Sequence, residues 1–285
     1  MKGASAEMIG APVKPANLSM SDRTEVSVRG LSTRPEQESG HSLNQRVSVC
    51  LATYNGAAFI AEQLLSILEE LLPTDEVVIV DDASTDNTVS IIEDFNDSRI
   101  RLIRQHENKG YVRTFERALG EADGDVLFLS DQDDVWVPGR RALLVSATAE
   151  RGVAASNLIL LDTGSPMRSP LTGKPWLLRS KDSNRRRRNQ FLILIGDIPY
   201  YGCAMSIRSD VRDRVLPFPD YLTEGHDLWI ATVANRHGLM SHLDQPTVRR
   251  RVHESNASPS RPRSPAKIFA ARWMLVRAFF SAGQR

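Results

Sequence analysis

The sequence predicts an α/β fold, Rossmann-like in layout, with a mostly parallel central sheet flanked by helices. Three observations predict it. Short apolar runs alternate with helical patterns four times between Val47 and Leu129, at about 25–30 residues per unit, the spacing of right-handed βαβ crossovers. The runs are continuously apolar, as strands buried on both faces require. Each run also ends in polar residues that packing does not need: Thr53–Asn55, Asp81–Asp82, Gln105–Asn108 and Asp131–Asp134. In open α/β sheets, ligands bind outside those carboxyl ends.

The elements follow in order. Residues 1–45 are rich in Ser, Gly, Pro, Glu and Arg without a sustained period, and read as a disordered leader. Val47–Ala52 (VSVCLA) is the first strand, broken by Thr53-Tyr54-Asn55-Gly56. Phe59, Ile60, Gln63, Leu64, Ile67, Leu68 and Leu71 then form one broad helical face, and Pro73 stops it. Glu76–Val80 is the second strand; the polar string Asp81–Asn87 offers N-caps to a helix over Thr88–Phe95. Ile100–Ile103 is the third strand, and a helix carrying Phe115, Ala118, Leu119 and Ala122 leads to the fourth, Val126–Leu129.

After Pro138 the pattern predicts a helix through Ala149 and a strand over Ala155–Leu161. Residues 162–190 show no clear period and read as a long mobile loop, a lid in kind, ending in the arginine run Arg185–Arg188. A strand at Gly202–Ile207, a short helix capped by Ser209 and ended by Pro217, and a helix over His226–Asn235 follow. Met240–Leu243 and Val248–Val252 are late strands. Ala266–Phe280 is apolar with Lys267, Arg272 and Arg277 spread round it, a segment that either docks on the domain or lies on an anionic membrane surface. The predicted plan is a leader (1–45), one catalytic domain (46–253) and a basic, apolar C-terminal segment (254–285).

Composition narrows the class. The 285 residues are 41% hydrophobic and 25% charged with a net charge of +1, so the average charge argues for no polyanionic partner. Nor is there an aromatic-rich stacking surface for nucleic acid. Cys50 and Cys203 each lie in an apolar sequence context, which favours buried reduced thiols over a disulfide. No apolar stretch reaches the ~18–20 residues that span a bilayer, and the N-terminus lacks a signal pattern. A cytoplasmic protein is expected, with peripheral contact to the inner face of the membrane as an addition.

Three acids, Asp131, Asp133 and Asp134, leave the fourth strand within four residues. Such crowding repels, and a cation reconciles it. Hard oxygen donors in an Asp-x-Asp suit Mg²⁺ or Mn²⁺ and leave positions open for phosphate oxygens. At the first strand, Thr53, Asn55 and the main chain around Gly56 suit a base or ribose. Asp82 suits a base N–H or ribose hydroxyls, with helix capping as the alternative for Asp81 and Asp82. Asn108 and Gly110 read as turn formers, and Arg104 and Lys109 as neighbours of a diphosphate.

The motifs ATYNG, VDDASTDNT, ENKG, SDQDDVW, GCAMSIR and HDLW occur in that order. Together they resemble the inverting family 2 glycosyltransferases with the GT-A fold, and most of all the bacterial rhamnosyltransferase-like members, from about Val47 to about His253. The resemblance implies a nucleotide-sugar-binding domain, a dTDP- or UDP-sugar donor (dTDP-rhamnose among them), a divalent metal, and direct displacement at the anomeric carbon. It implies a glycan or lipid-linked acceptor. Thr53, Tyr54 and Asn55 with Asp82 then match the family's base and ribose contacts. Asp131 and Asp133 match its metal motif, with Asp133 the direct ligand, and Asp134 is left to cap or brace the turn. Asp227 falls at the catalytic base, and His253 resembles a histidine placed near the diphosphate or metal. Two other classes compete. A nucleotidyltransferase would need a basic, glycine-rich phosphate loop, and Thr53–Ala57 offers only Gly56. A non-catalytic membrane- or nucleic-acid-binding module leaves the four polar strand ends unexplained.

Overall fold

The computed structural model describes residues 45–253 and 264–285; most of the expected leader and residues 254–263 lie outside the described residues. Strand β1 (Val47–Thr53), helix α1 (Ile60–Leu68), β2 (Glu76–Asp81), α2 (Thr88–Asp94), β3 (Ile100–Arg104), α3 (Tyr111–Glu121) and β4 (Val126–Ser130) form the expected alternating half. Their side chains explain the unbroken apolar runs. Val49 and Leu51 of β1 join one core with Val77, Ile79 and Phe128, while Cys50 joins the other with Val78, Val80 and Leu129. Successive residues point to opposite faces, and each face carries its own helices, so both must be apolar.

The second half is denser in structure than expected. A two-residue strand β5 (Val135–Trp136) precedes α4 (Arg140–Arg151) and β6 (Val153–Leu160). The predicted mobile loop is instead tied down. Asn157 holds Leu178 through hydrogen bonds in both directions, and Ser169 donates to Asp197 at 2.6 Å. Arg186–Arg188 form the first turn of helix α5 (Arg186–Ile195) rather than a loop end. The stretch Gly202–Ile207 divides into a 3₁₀ turn, Gly202–Ala204, and strand β7 (Met205–Arg208). Another 3₁₀ turn, without the expected Ser209 side-chain cap, leads into the one-turn helix α6 (Arg212–Val215). Helix α7 (His226–His237) follows, then β8 (Met240–Arg250), one bulged strand where two were expected. Helix α8 (Pro265–Ser281) buries Leu275 and Ala278 on the domain, so that segment docks.

The sheet order is β3-β2-β1-β4-β7-β6-β8-β5. The β1–β2, β2–β3, β1–β4 and β6–β8 pairs are parallel, and β4–β7, β6–β7 and β5–β8 antiparallel. The parallel block therefore ends at β4, and the acidic turn emerges where the strand direction changes. Among the described residues no helix is long and apolar enough to cross a membrane.

Candidate active site

A cleft of about 920 Å³ runs along the carboxyl ends of β1, β2 and β4 and continues past the start of α7. Thr53, Tyr54, Asp82, Asp131, Asp133 and Asp227 all line it, so six predicted residues meet in one place. Asn108 and Gly110, expected only to shape a turn, line it as well, while also bonding to each other at 3.1 Å.

The first bank is built by side chains that clamp backbone. Gln132 Oε1 accepts from Thr53 Oγ1 at 2.7 Å and from the Tyr54 N–H at 2.9 Å, while its amide nitrogen donates to the Tyr54 carbonyl at 3.1 Å. A Cβ on Gly56 would collide with that same Gln132 oxygen, which explains the glycine. Asp82 accepts from Gln105 Nε2 and from the N–H groups of Lys109 and Gly110, at 2.7 to 2.9 Å, so it fixes the turn after β3 as it faces the cleft. Asn55 stands apart from the lining. It adopts a left-handed φ of 49°, and its side-chain oxygen accepts from the Thr85 N–H at 2.8 Å. Arg104 and Lys109 also lie outside the lining, against expectation. Arg104 ends the edge strand with its side chain exposed, and the Lys109 ammonium pairs with Glu107 at 3.8 Å.

The acidic turn differs from its sequence reading in detail. Asp131 and Asp134 converge with Cys203, one ligand atom of each lying within 4.8 Å of the others. Asp133 instead accepts from or shares a proton with His253 Nε2 at 2.7 Å, and the His253 ring stacks on Phe59 at 4.5 Å. Asp134 braces the turn, as expected, by accepting from the Arg251 N–H at 3.1 Å, but it is also part of the cleft floor. Burial, followed by repulsion from Asp134 and Asp133, pushes the Asp131 carboxyl well up. Burial and then Asp133 push Asp134 up to about 6. Cys203 packs with Leu158, Ala204 and Val248 in the apolar setting that its neighbours in sequence suggest, and its sulfur also meets the acids. Burial, then Asp134 and Asp131, raise its thiol so far that it stays protonated.

The donor set fits a hard dication. Two crowded carboxyls are held above their ordinary range by burial and mutual repulsion, and Asp134 Oδ2 is buried with only the Cys203 thiol assigned beside it. A protonated thiol is a poor ligand for Mg²⁺ or Mn²⁺, which leaves the carboxylates as the ligands.

Two arginines offset this charge. Arg140 is fully buried and donates to the Leu129 and Cys203 carbonyls at 3.3 and 2.7 Å and to Thr247 Oγ1 at 2.7 Å. Burial lowers its pKa to about 10, so it remains cationic. Arg250 lines the cleft and packs over the Tyr201 ring at 5.1 Å. Burial opposes its charge, and Cys203, Tyr201, Asp131 and Asp134 more than restore it.

On the far bank, Gly225 adopts a left-handed φ of 71° and turns the chain into α7. Its N–H donates to Tyr111 Oη at 3.3 Å. Asp227 lies in the first turn, where one of its oxygens accepts from the Leu228 N–H at 2.7 Å. His226 is buried against Phe115 at 4.3 Å, and burial lowers its pKa although Asp227 opposes this, so the ring is neutral. Sequence reasoning missed Gln132, Tyr201, Cys203 and His226 as cleft residues. Of these, Gln132, Cys203 and His226 were within reach, since each sits inside a motif already singled out.

Known proteins share parts of this sequence and its fold. The chain matches a dTDP-rhamnosyl transferase of Shigella flexneri, RfbG, at 41% identity over 93 residues, 30% of this chain and 32% of that one. It matches the Escherichia coli UDP-Glc:alpha-D-GlcNAc-diphosphoundecaprenol beta-1,3-glucosyltransferase WfgD at 29% over 108 residues, 38% and 43% of the two chains. These matches span less than half the length of either relative. The crystal structure of Staphylococcus aureus TarS 1–349 with UDP-GlcNAc shares the GT-A fold at a TM-score of 0.63 and 21% identity, over 82% of this chain and 66% of that one. Residues 48–213, more than half the chain and all of the nucleotide-side bank, match the sequence profile of one family, and the chain belongs to it: glycosyl transferase family 2.

Proposed function

We propose that the chain transfers a sugar, with inversion, from a dTDP- or UDP-sugar to a hydroxyl of a glycan or lipid-linked acceptor in cell-surface polysaccharide synthesis. The observation that carries the reading is one cleft with acids on opposite banks, Asp131, Asp133 and Asp134 at the end of β4 and Asp227 at the start of α7. Rhamnose is the candidate sugar, supported by the match to a relative named for dTDP-rhamnose. Thr53, Tyr54 and Asp82 take the nucleoside, on the bank that they line together.

In the reaction the acceptor oxygen bonds to the anomeric carbon as the bond from that carbon to the diphosphate oxygen breaks. The electron pair leaves on the nucleoside diphosphate. Asp227 takes the acceptor proton as its oxygen attacks, the role of a general base. Arg250 lies beside the acids, where it meets the diphosphate. Asp131, with Asp133 or Asp134, would hold Mg²⁺ or Mn²⁺, which would supply neutralisation of the charge on the leaving diphosphate. His253 orients Asp133 by its hydrogen bond. Two buried free thiols, Cys50 and Cys203, support a reducing, cytoplasmic setting.

The test is release of nucleoside diphosphate across a panel of nucleotide sugars, with Mn²⁺ or with EDTA, in the presence of acceptor membranes. Asp227→Ala should keep donor affinity and lose transfer by about 10²–10⁴-fold, the usual worth of a positioned base. Asp133→Ala should lose transfer and metal dependence together. Full activity in either variant removes that residue from its role, and donor binding indifferent to EDTA removes the metal.

A further inference from the structure

The cleft does not stop at Asp227. Beyond it the lining changes character, and Met167, Trp176, Ile193, Ile198, Met274 and Leu275 wall its far arm. Two of the walls are helices that the nucleotide bank does not use, α5 and α8. Ile268, half exposed, stands at the rim of the arm on the first turn of α8.

Helix α8 has a second apolar side. Leu275 and Ala278 are buried on the domain, whereas Phe269, Trp273 and Phe280 are 74%, 59% and 67% exposed. Spaced four and seven residues apart, these three fall in one stripe on the opposite side of the helix. From Arg249 to the C-terminus the sequence holds nine Arg and Lys residues against the single acid Glu254. An aromatic stripe on a basic segment suits the headgroup level of an anionic bilayer.

We propose that the apolar arm binds the hydrocarbon chain of a membrane lipid that carries the acceptor sugar, an inference that rests on the glycosyl-transfer reading of the same cleft. These six side chains offer a soluble glycan no hydrogen-bonding partner apart from the Trp176 N–H, and Arg272, against Gly196, is the one charged lining residue that α5 and α8 contribute. Ile193, Ile198 and Leu275 back the arm from the core, while Met167, Trp176 and Met274 stay partly exposed in it. Apolar surface open to water is unfavourable until an apolar ligand covers it. The arm continues unbroken from Asp227, so a lipid seated there brings its head group to the catalytic base. The aromatic stripe on the other side of α8 suits the same membrane surface, where such a lipid resides.

The test uses the full chain carrying Trp273→Phe, which removes the exposed stripe indole and leaves Trp176 to report on the arm, since Trp136 and Trp229 are buried in the cores. Farnesyl phosphate and isopentenyl phosphate are titrated separately; they share a head group and differ in chain length. Farnesyl phosphate should change the emission saturably, and isopentenyl phosphate should need at least about 100-fold more, given the apolar area that the longer chain buries. Ile268→Asp, at an exposed position, and Met274→Gln, close in size, should each weaken farnesyl phosphate binding at least about tenfold and leave UDP and dTDP binding unchanged. Equal affinity for the two phosphates, no farnesyl phosphate binding, or indifference to both substitutions overturns the proposal. Nucleotide binding with no chain preference would sink the lipid arm and leave sugar transfer standing. Chain preference with no nucleotide binding would support the arm and sink the transfer reading.

Discussion

Replacing Asp134 by Asn should stabilise the metal-free protein, although it removes a residue from the heart of the cleft. Asp134 is 3% exposed, and burial followed by the Asp133 charge raises its pKa to about 6 from an ordinary 3.8. The folded state thus holds this proton more tightly than the unfolded chain does. The group's contribution to stability is greatest below pH 3.8, declines as the pH rises to about 6, and above that the full penalty applies. A difference of about two pH units is worth about 3 kcal/mol. Asn keeps an oxygen to accept from the Arg251 N–H, now at 3.1 Å, but loses the charge-assisted contact with Cys203, worth about 1 kcal/mol. The net gain is about 2 kcal/mol near neutrality, or about 4–8 °C in Tm for a domain of this size. Near pH 4.5 the penalty is only about 1 kcal/mol, and the gain should vanish. Thermal melts of both proteins in EDTA, at about pH 7.5 and pH 4.5, decide the matter. Equal destabilisation at both pH values would refute the reasoning, because it would mean that Asp134 is held by its hydrogen bonds and not strained by its charge. With saturating Mn²⁺ the advantage of the variant should shrink, since the ion then relieves the charge of the wild-type carboxylate.

Other outcomes follow from the same geometry. Gly56→Ala drives a methyl into Gln132 Oε1 and should weaken nucleotide binding by about tenfold in calorimetry; adding Gln132→Ala should clear the collision but not restore the clamp on Tyr54. Arg140→Met leaves the Leu129 and Cys203 carbonyls without their donor and should cost about 3 kcal/mol, seen as a lower urea midpoint at unchanged slope. His253→Ala frees Asp133 from its partner and should lower Mn²⁺ affinity by about 10–100-fold in a spin-resonance titration, with His253→Gln in between.

The parallel half was legible because its signal is local. Val49 and Cys50 feed different cores, so a run of apolar residues announces a two-faced strand without knowledge of its partners. Helix α5 gave no such signal, because the face it buries is partly polar. Asn189 bonds to Asn235 at 3.0 Å and Gln190 to the Thr232 carbonyl at 2.6 Å, while Phe191 stays exposed. A helix that docks through amides shows no hydrophobic period. In β8 Pro246 hid the continuity, since it pairs across the irregular register with Asn157. Thr53, Asp82 and Asp131 can be named from their strand ends, whereas Asp227 is named only by the family resemblance of its HDLW motif. That Cys203, some 70 positions away, faces Asp131 and Asp134 is a fact of tertiary folding that no local pattern carries.

The change of strand direction after β4 has a consequence for how such an enzyme can be altered. Thr53, Tyr54, Asp82 and the acidic turn come from residues 52–134, while Cys203 and Arg250 join the acids from the second half, which also supplies Asp227 and the arm. In the sheet the two blocks meet along a single antiparallel seam, β4 against β7, only three paired positions long: Val126–Arg208, Leu127–Ile207 and Phe128–Ser206. On the proposed reading, a donor-side block and an acceptor-side block thus share one short seam of backbone pairing in the sheet. On the same reading, chimaeras joined within the Val135–Val137 stretch, with the β7-facing residues of β4 retained, should exchange the acceptor side and keep nucleotide binding. The tail of β8 travels with the second module but finishes the first: Arg251 and His253 hold the acids of the opposite bank. A graft that changes what is glycosylated must therefore carry its own closing strap for the metal turn.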